Sequence, residues 1–196
     1  MNGFNSICVF CGSSARVADV YKTAARDLGT IMGQNAIRLI YGGGHVGLMG
    51  IVADATMAAG GQVTGIIPDF LEKIEVGHHH ISELIVTDSM HDRKAGMYTR
   101  ADAFVTLPGG LGSLDETFEV LTWTQLGLSN KPVILVDVDG YWQPFLALVD
   151  HVISAGFARP ENRDMIHVVK QVSDVLPLLQ RLPARPGADD DIADRL

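Results

Sequence analysis

Ala103-Phe104-Val105-Thr106-Leu107-Pro108-Gly109-Gly110-Leu111-Gly112-Ser113-Leu114-Asp115-Glu116 is the stretch on which the fold turns. Ala103–Leu107 is a short β-prone apolar run, Pro108-Gly109-Gly110 breaks it, and helical spacing of apolar residues then runs from Leu114 to Leu126. A strand passing through a glycine turn into a helix is the repeating unit of an α/β fold. The same event occurs upstream, where Gly12-Ser13-Ser14 follows the run Ser6–Cys11 and Gly42-Gly43-Gly44 follows Ile37–Tyr41. Further strands are predicted at Gln62–Ile67 and Pro132–Val136, with weaker ones at Leu84–Val86 and Met165–Val169. Helices are predicted over Ala18–Gln34, Val46–Ala59, Met90–Ala101, Trp142–Ala155 and Val172–Leu182. Ile7 to Phe10, Leu39-Ile40 and Val133 to Val136 are almost continuously apolar, as strands covered on both faces should be. The pattern predicts a doubly wound, mostly parallel sheet with helices on both faces, and its glycine-rich loops lie at the strand ends where such sheets bind ligands.

The chain has 196 residues, a length that suits one domain, and residues 1–182 are read as that domain with 183–196 as a flexible tail. Fifteen Lys+Arg against 23 Asp+Glu give a formal charge of −8, which argues against a nucleic-acid or anionic-membrane binder. No apolar run approaches the ~18–20 residues of a membrane helix, and the N-terminus lacks the basic region of a signal peptide. Two cysteines make no disulfide framework, so a reducing cytoplasm is expected. Cys8 and Cys11, three apart on a strand, would stand ~10 Å apart on opposite faces, too far for a disulfide.

Several motifs carry chemistry, each with a plainer reading beside it. Gly42, Gly44 and Gly47 fit G-x-G-x-x-G, and Asp69 lies near where a dinucleotide fold places its ribose-binding acid. The motif follows the second strand rather than the first, so a mononucleotide-site wall or a tight turn is the competing reading. The loop from Pro108 to Ser113 would aim backbone N–H groups and a helix N-terminus at a phosphate. It lacks the lysine of an NTPase loop. Ser113-x-x-Glu116 is equally a capping box, with both side chains spent on helix N–H groups. Ser89 is a candidate N-cap for a helix on which Met90, Arg93, Lys94 and Met97 share one side. That face suits an anion beside a base, the alternative being a solvated face with Asp92 and Arg93 paired. His78 and His80 fall on one side of an extended segment, but no partner stands at metal-ligand spacing, and no metal is expected there. Ser13 and Ser14 lack the elbow of a serine hydrolase.

Ser89-Met90-His91-Asp92-Arg93-Lys94 followed by Pro108-Gly109-Gly110-Leu111-Gly112-Ser113-Leu114-Asp115-Glu116 resembles the paired motif of the LONELY GUY (LOG) family. These are cytokinin riboside 5′-monophosphate phosphoribohydrolases, often mislabelled as possible lysine decarboxylases. The similarity extends from Cys8 to Ser14, through Tyr41-Gly42-Gly43-Gly44 and Gly47-Leu48-Met49-Gly50, past Thr122-Trp123 to Lys131-Pro132-Val133. The resemblance implies a Rossmann-like fold, a homodimer, and cleavage of the N-glycosidic bond in AMP or an N6-substituted nucleoside 5′-monophosphate. It places the family's essential arginine and glutamate on Arg93 and Glu116, and its phosphate loop on Gly109, Gly110, Gly112 and Ser113, the last a Ser where the family usually has Thr. Glu75, Lys94 and Thr122 match ligand-binding positions, and Gly12, Ser13, Gly43, Gly44 and Met90 complete the candidate binding set. The loop from Pro68 to Leu84 departs most from plant-like members. The same loops would also serve a nucleotide carrier that releases no base. A decarboxylase would hold pyridoxal phosphate on a lysine, and none of Lys22, Lys73, Lys94, Lys131 and Lys170 stands in a clear cofactor motif. Hydrolysis of an N-glycosidic bond needs no cofactor: a carboxylate at Glu116 would stabilise the oxocarbenium charge or orient a water. Arg93, too basic to give up a proton, would work electrostatically.

Overall fold

The strand Ser6–Phe10 (β1) sits at the centre of the sheet, and its side chains alternate between two cores. A computed structural model describes residues 4–75 and 77–182, the side chains of residues 73–75 excepted. The proposed tail at 183–196 lies outside the described residues. After β1 come α1 (Asp19–Gln34), β2 (Arg38–Tyr41), α2 (Leu48–Ala58), β3 (Val63–Pro68), α3 (Asp69–Glu75) and β4 (Glu83–Thr87). The chain then returns through α4 (Met90–Arg100), β5 (Ala103–Thr106), α5 (Leu111–Gln125), β6 (Val133–Val136), α6 (Gln143–Ser154), β7 (Ile166–Val169) and α7 (Val175–Arg181).

Seven strands pair in the order β4-β3-β2-β1-β5-β6-β7, and every pairing is parallel. Ile7, Val9 and Cys11 face a core closed by Leu28 and Met32 of α1, Val52 of α2 and Leu179 of α7. Cys8 and Phe10 face the other, closed by Met97 of α4, Val120 of α5 and Phe145 of α6. Strands buried on both faces explain the continuous apolar runs. They also put the two thiols in different layers, free and buried. Among the described residues no helix is long and apolar enough to cross a membrane.

All seven expected strands are present, with ends shifted by a residue or two. The helices differ more: α7 begins at Val175, three residues after the expected Val172, behind a 3-10 turn. α3 was not foreseen, because its short run Asp69–Glu75 carries no extended helical period. α5 begins three residues before the expected Leu114, and that shift bears on the site.

Candidate active site

The strand order reverses between β1 and β5, and the loops leaving these two strands meet there. Gly12 N donates to Pro108 O at 3.1 Å, and Leu48 N at the start of α2 donates to Gly12 O at 2.9 Å. Gly47, just before α2, has φ +72°, and a Cβ on it would stand 2.4 Å from the carbonyl carbon of Ser13, so only glycine lets the loops approach this closely. Between them lies a cleft of about 260 Å³ walled by Gly12, Ser13, Gly109, Gly110, Leu48 and Tyr141, among others. Tyr141 was missed in the sequence; it arrives from beyond β6 and donates its hydroxyl to Gly109 O at 2.6 Å.

Gly110, extended at φ −93° and ψ −155°, is the N-cap of α5, and among the described residues no side chain caps the helix. The capping box that the spacing of Ser113 and Glu116 left open as an alternative is therefore not formed. Ser113 is the third helical residue, buried, with its Oγ packed where a Cβ on Gly109 would stand. The first N–H groups of α5 are therefore not spent on a serine hydroxyl, and the helix start at Gly110 borders the cleft. A Cβ on Gly112 would meet nothing within 4 Å among the described residues. Thr117 fastens the helix to β5, its hydroxyl 3.0 Å from that of Thr106 and donating to Ser113 O at 2.6 Å.

Glu116 stands one turn beyond Ser113 and is buried, as is Arg93 on α4. Their ion pair is 2.9 Å from Nη1 to Oε1. Arg93 Nε also donates to Ile66 O at the end of β3, at 3.2 Å, and Nη2 lies against Gly42 after β2, where a Cβ would come within 2.1 Å of it. The guanidinium thus reaches from β3 to the loop after β2 and is carried by α4. Ser89 caps α4 as expected, accepting from Asp92 N at 3.1 Å. Asp92 bonds Ser89 rather than Arg93, which removes the solvated-face reading of this helix. Burial, and after it the negative charge of Glu116, raises the thiol pKa of both Cys8 and Cys11, so neither is a ready nucleophile.

Lys94 meets Asp115 at 2.7 Å and Glu119 at 3.4 Å. Burial works against its charge, but the two carboxylates outweigh it and its pKa is raised. Burial also raises that of Glu119. Met90 is half-buried as the first residue of α4. Thr122 is not brought to the pair: it is exposed, six residues along α5 (~9 Å), with its hydroxyl bonded to Phe118 O. Gly43 O accepts from His78 N at 2.9 Å, and Gly44 bridges to Gly77. Glu75 ends α3, but its side chain lies outside the described residues. The dinucleotide reading of Gly42, Gly44 and Gly47 gains no support, since the loop at the switch point follows β1 and Asp69 is spent on its neighbour Phe70 N.

Fold and site together define an α/β protein of the doubly wound class, with an uncapped helix start and a buried arginine–glutamate pair beside its switch point. The chain belongs to the LOG family: the family model described as "Possible lysine decarboxylase" matches residues 49–179. A cytokinin riboside 5′-monophosphate phosphoribohydrolase of Arabidopsis thaliana is 41% identical over 189 residues, covering 96% of this chain and 82% of the relative. One from Rhodococcoides fascians is 40% identical over 176 residues, 89% of each chain. In structure, the molybdenum cofactor carrier protein of Chlamydomonas reinhardtii matches with TM-score 0.69 at 19% identity, over 93% of this chain and 99% of that one. The molybdenum cofactor binding protein of Rippkaea orientalis matches with TM-score 0.68 at 21% identity, over 90% and 96%. At such identities the structural likeness speaks for the fold alone.

Proposed function

We propose that this protein hydrolyses the N-glycosidic bond of AMP or an N6-substituted, cytokinin-type nucleoside 5′-monophosphate, giving free base and ribose 5-phosphate. The observation that carries the reading is the buried Arg93–Glu116 pair, within two helical turns of a helix start at which no described side chain makes a capping bond. The 5′-phosphate takes the N–H groups of Gly110 to Ser113 and the wall of Gly12 and Ser13, where unsatisfied amides and the helix dipole favour an anion. The ribose then lies towards Glu116. As the bond from C1′ to the base nitrogen breaks, the Glu116 carboxylate faces the growing oxocarbenium charge and orients the water that adds to C1′. The water's proton ends on the departing base. Arg93 holds Glu116 in place and supplies a fixed positive charge near the leaving group or phosphate. Glu75, Lys94, Met90, Gly43, Gly44 and Thr122 are proposed to complete the substrate site, Thr122 without a contact to the catalytic pair within this chain. A homodimer is proposed on the family resemblance.

The test is chromatography of protein incubated with AMP and, separately, isopentenyl-AMP. Release of base and ribose 5-phosphate from either, lowered about 10²–10³-fold in a folded Glu116→Gln protein, is expected. Tight nucleotide binding with no release from either would move the assignment to a carrier. Unchanged turnover in Glu116→Gln would remove Glu116 from the chemistry.

A further inference from the structure

Behind the glycine loop of β2, three side chains from separate parts of the chain converge. His45 comes from the loop itself, Asp54 from the middle of α2, and His78 from the segment after α3. His78 Nε2 lies 2.9 Å from Asp54 Oδ1, and His45 Nε2 lies 3.6 Å from Asp54 Oδ2. The two imidazoles face each other with ring centroids 4.1 Å apart and a tilt of 32°. One ligand atom of each residue lies within 4.8 Å of the others. We propose that His45, Asp54 and His78 bind one divalent transition-metal ion of the zinc type, and that this ion clamps the segment 77–80 to the glycine loop and to α2.

Two imidazole nitrogens and a carboxylate oxygen are a donor set that zinc and its neighbours accept, with a water completing four-coordination. Ligands ~2.0–2.2 Å from a tetrahedral ion stand ~3.3–3.6 Å apart, so the cluster is close to the required size. His78 is the fixed member. It is 3% exposed, and since Nδ1 has no hydrogen-bond partner among the described residues, the ring's polar contact there is the one at Nε2, inside the cluster. His45 and Asp54, at 45% and 60% side-chain exposure, are free to make the remaining adjustment and leave the ion open to solvent. A lone ion pair would explain His78 on Asp54; it would not explain a second imidazole brought to the other oxygen of the same carboxylate. The segment 77–80 already holds the loop through His78 N on Gly43 O and the bridge from Gly77 to Gly44. The ion adds a tie that ordinary hydrogen bonds do not. This inference is independent of the proposed hydrolysis, since neither Arg93 nor Glu116 is a ligand. Sequence spacing hid the site because the partners of His78 lie 24 and 33 positions upstream, on other elements.

Chelator-treated, gel-filtered protein is titrated with Zn²⁺ by calorimetry, and with Co²⁺ by visible absorption. Expected are one equivalent bound, a ligand-field band from Co²⁺, and a melting temperature raised by about 5–10 °C at metal well above the dissociation constant. Binding is expected to weaken at least tenfold in His45→Ala and in Asp54→Asn, both at exposed positions that leave the core intact. His79→Ala and His80→Ala should bind as the parent does, since neither belongs to the cluster. Metal binding that survives His45→Ala and Asp54→Asn, or that is lost with His79 or His80, would overturn the proposal, as would no stoichiometric binding at all.

Discussion

Gly42 lacks a side chain where the Arg93 guanidinium needs the room. A Gly42→Ala protein should fold, because the obstructing group is the tip of a side chain rather than backbone, but Arg93 must shift by an ångström or more. Displacements of that size at a reacting centre cost about 10² in rate. The check is far-UV circular dichroism beside turnover: an unaltered spectrum with turnover lowered about a hundredfold is expected, and full turnover would show that the placement of Arg93 is not critical. Arg93→Ala acts differently. It breaks the buried ion pair from one side, a loss of about 3–5 kcal/mol that urea unfolding would measure. Arg93 and Glu116 were legible as residue types, but whether they touched was not: they lie 23 positions apart on different helices, and only packing against β2 and β3 turns them to each other.

At the scale of the element, the start of α5 decides what Glu116 is for. Had Ser113 been the N-cap, its hydroxyl and Glu116 would have closed the helix on itself. With Gly110 in that place, the helix offers its N–H groups outward. A Cβ on Gly110 would meet nothing within 4 Å, so Gly110→Asp is sterically free. It should stabilise the helix by some tenths to about 1 kcal/mol, through a cap bond and the helix dipole. It should also weaken nucleotide monophosphate binding at least tenfold, by placing a carboxylate where the phosphate belongs. Thermal melts and a binding titration on one protein check both; tighter binding would place the phosphate elsewhere. Sequence pattern located this helix to within three residues. The error arose because Gly110 and Gly112 read as loop, while their backbone joins the helix that Thr117 pins to β5.

At the scale of the molecule, burial of ionisable groups sets how stability varies with pH. Lys131, buried just before β6, donates to Tyr98 O at 2.6 Å and lies 4.1 Å from the Tyr98 ring centroid. Burial still pulls its pKa down to about 8, from an ordinary 10.5. Above pH 8 the unfolded chain therefore holds a proton there that the folded chain has shed, and stability rises with pH. Cys8 and Cys11 act in the opposite sense, their folded pKa values lying above the ordinary 9.0 because of burial, so stability falls once the unfolded thiols ionise. Tyr41, raised above its ordinary 10.0 by burial, adds to the fall. The two effects largely offset one another between about pH 7 and 9, so the expected profile rises only slightly to a maximum between about pH 8 and 9 and then declines steeply. Denaturant midpoints across that range test it; in Lys131→Met the rise should vanish and the alkaline fall remain.

The sequence by itself determined the alternation of strands and helices, the parallel sheet, the buried character of its strands and the position of each glycine loop. These follow from local periodicity, turn chemistry and the length of apolar runs, which are properties of neighbouring residues. Tertiary structure alone decided that the loop after β1 and the loop after β5 share one cleft, and that Tyr141 closes it. It alone decided that Arg93 meets Glu116 and that His78 meets Asp54 and His45. Each of those contacts joins elements far apart in the chain, and its distance is set by sheet order and helix packing, which no local pattern encodes.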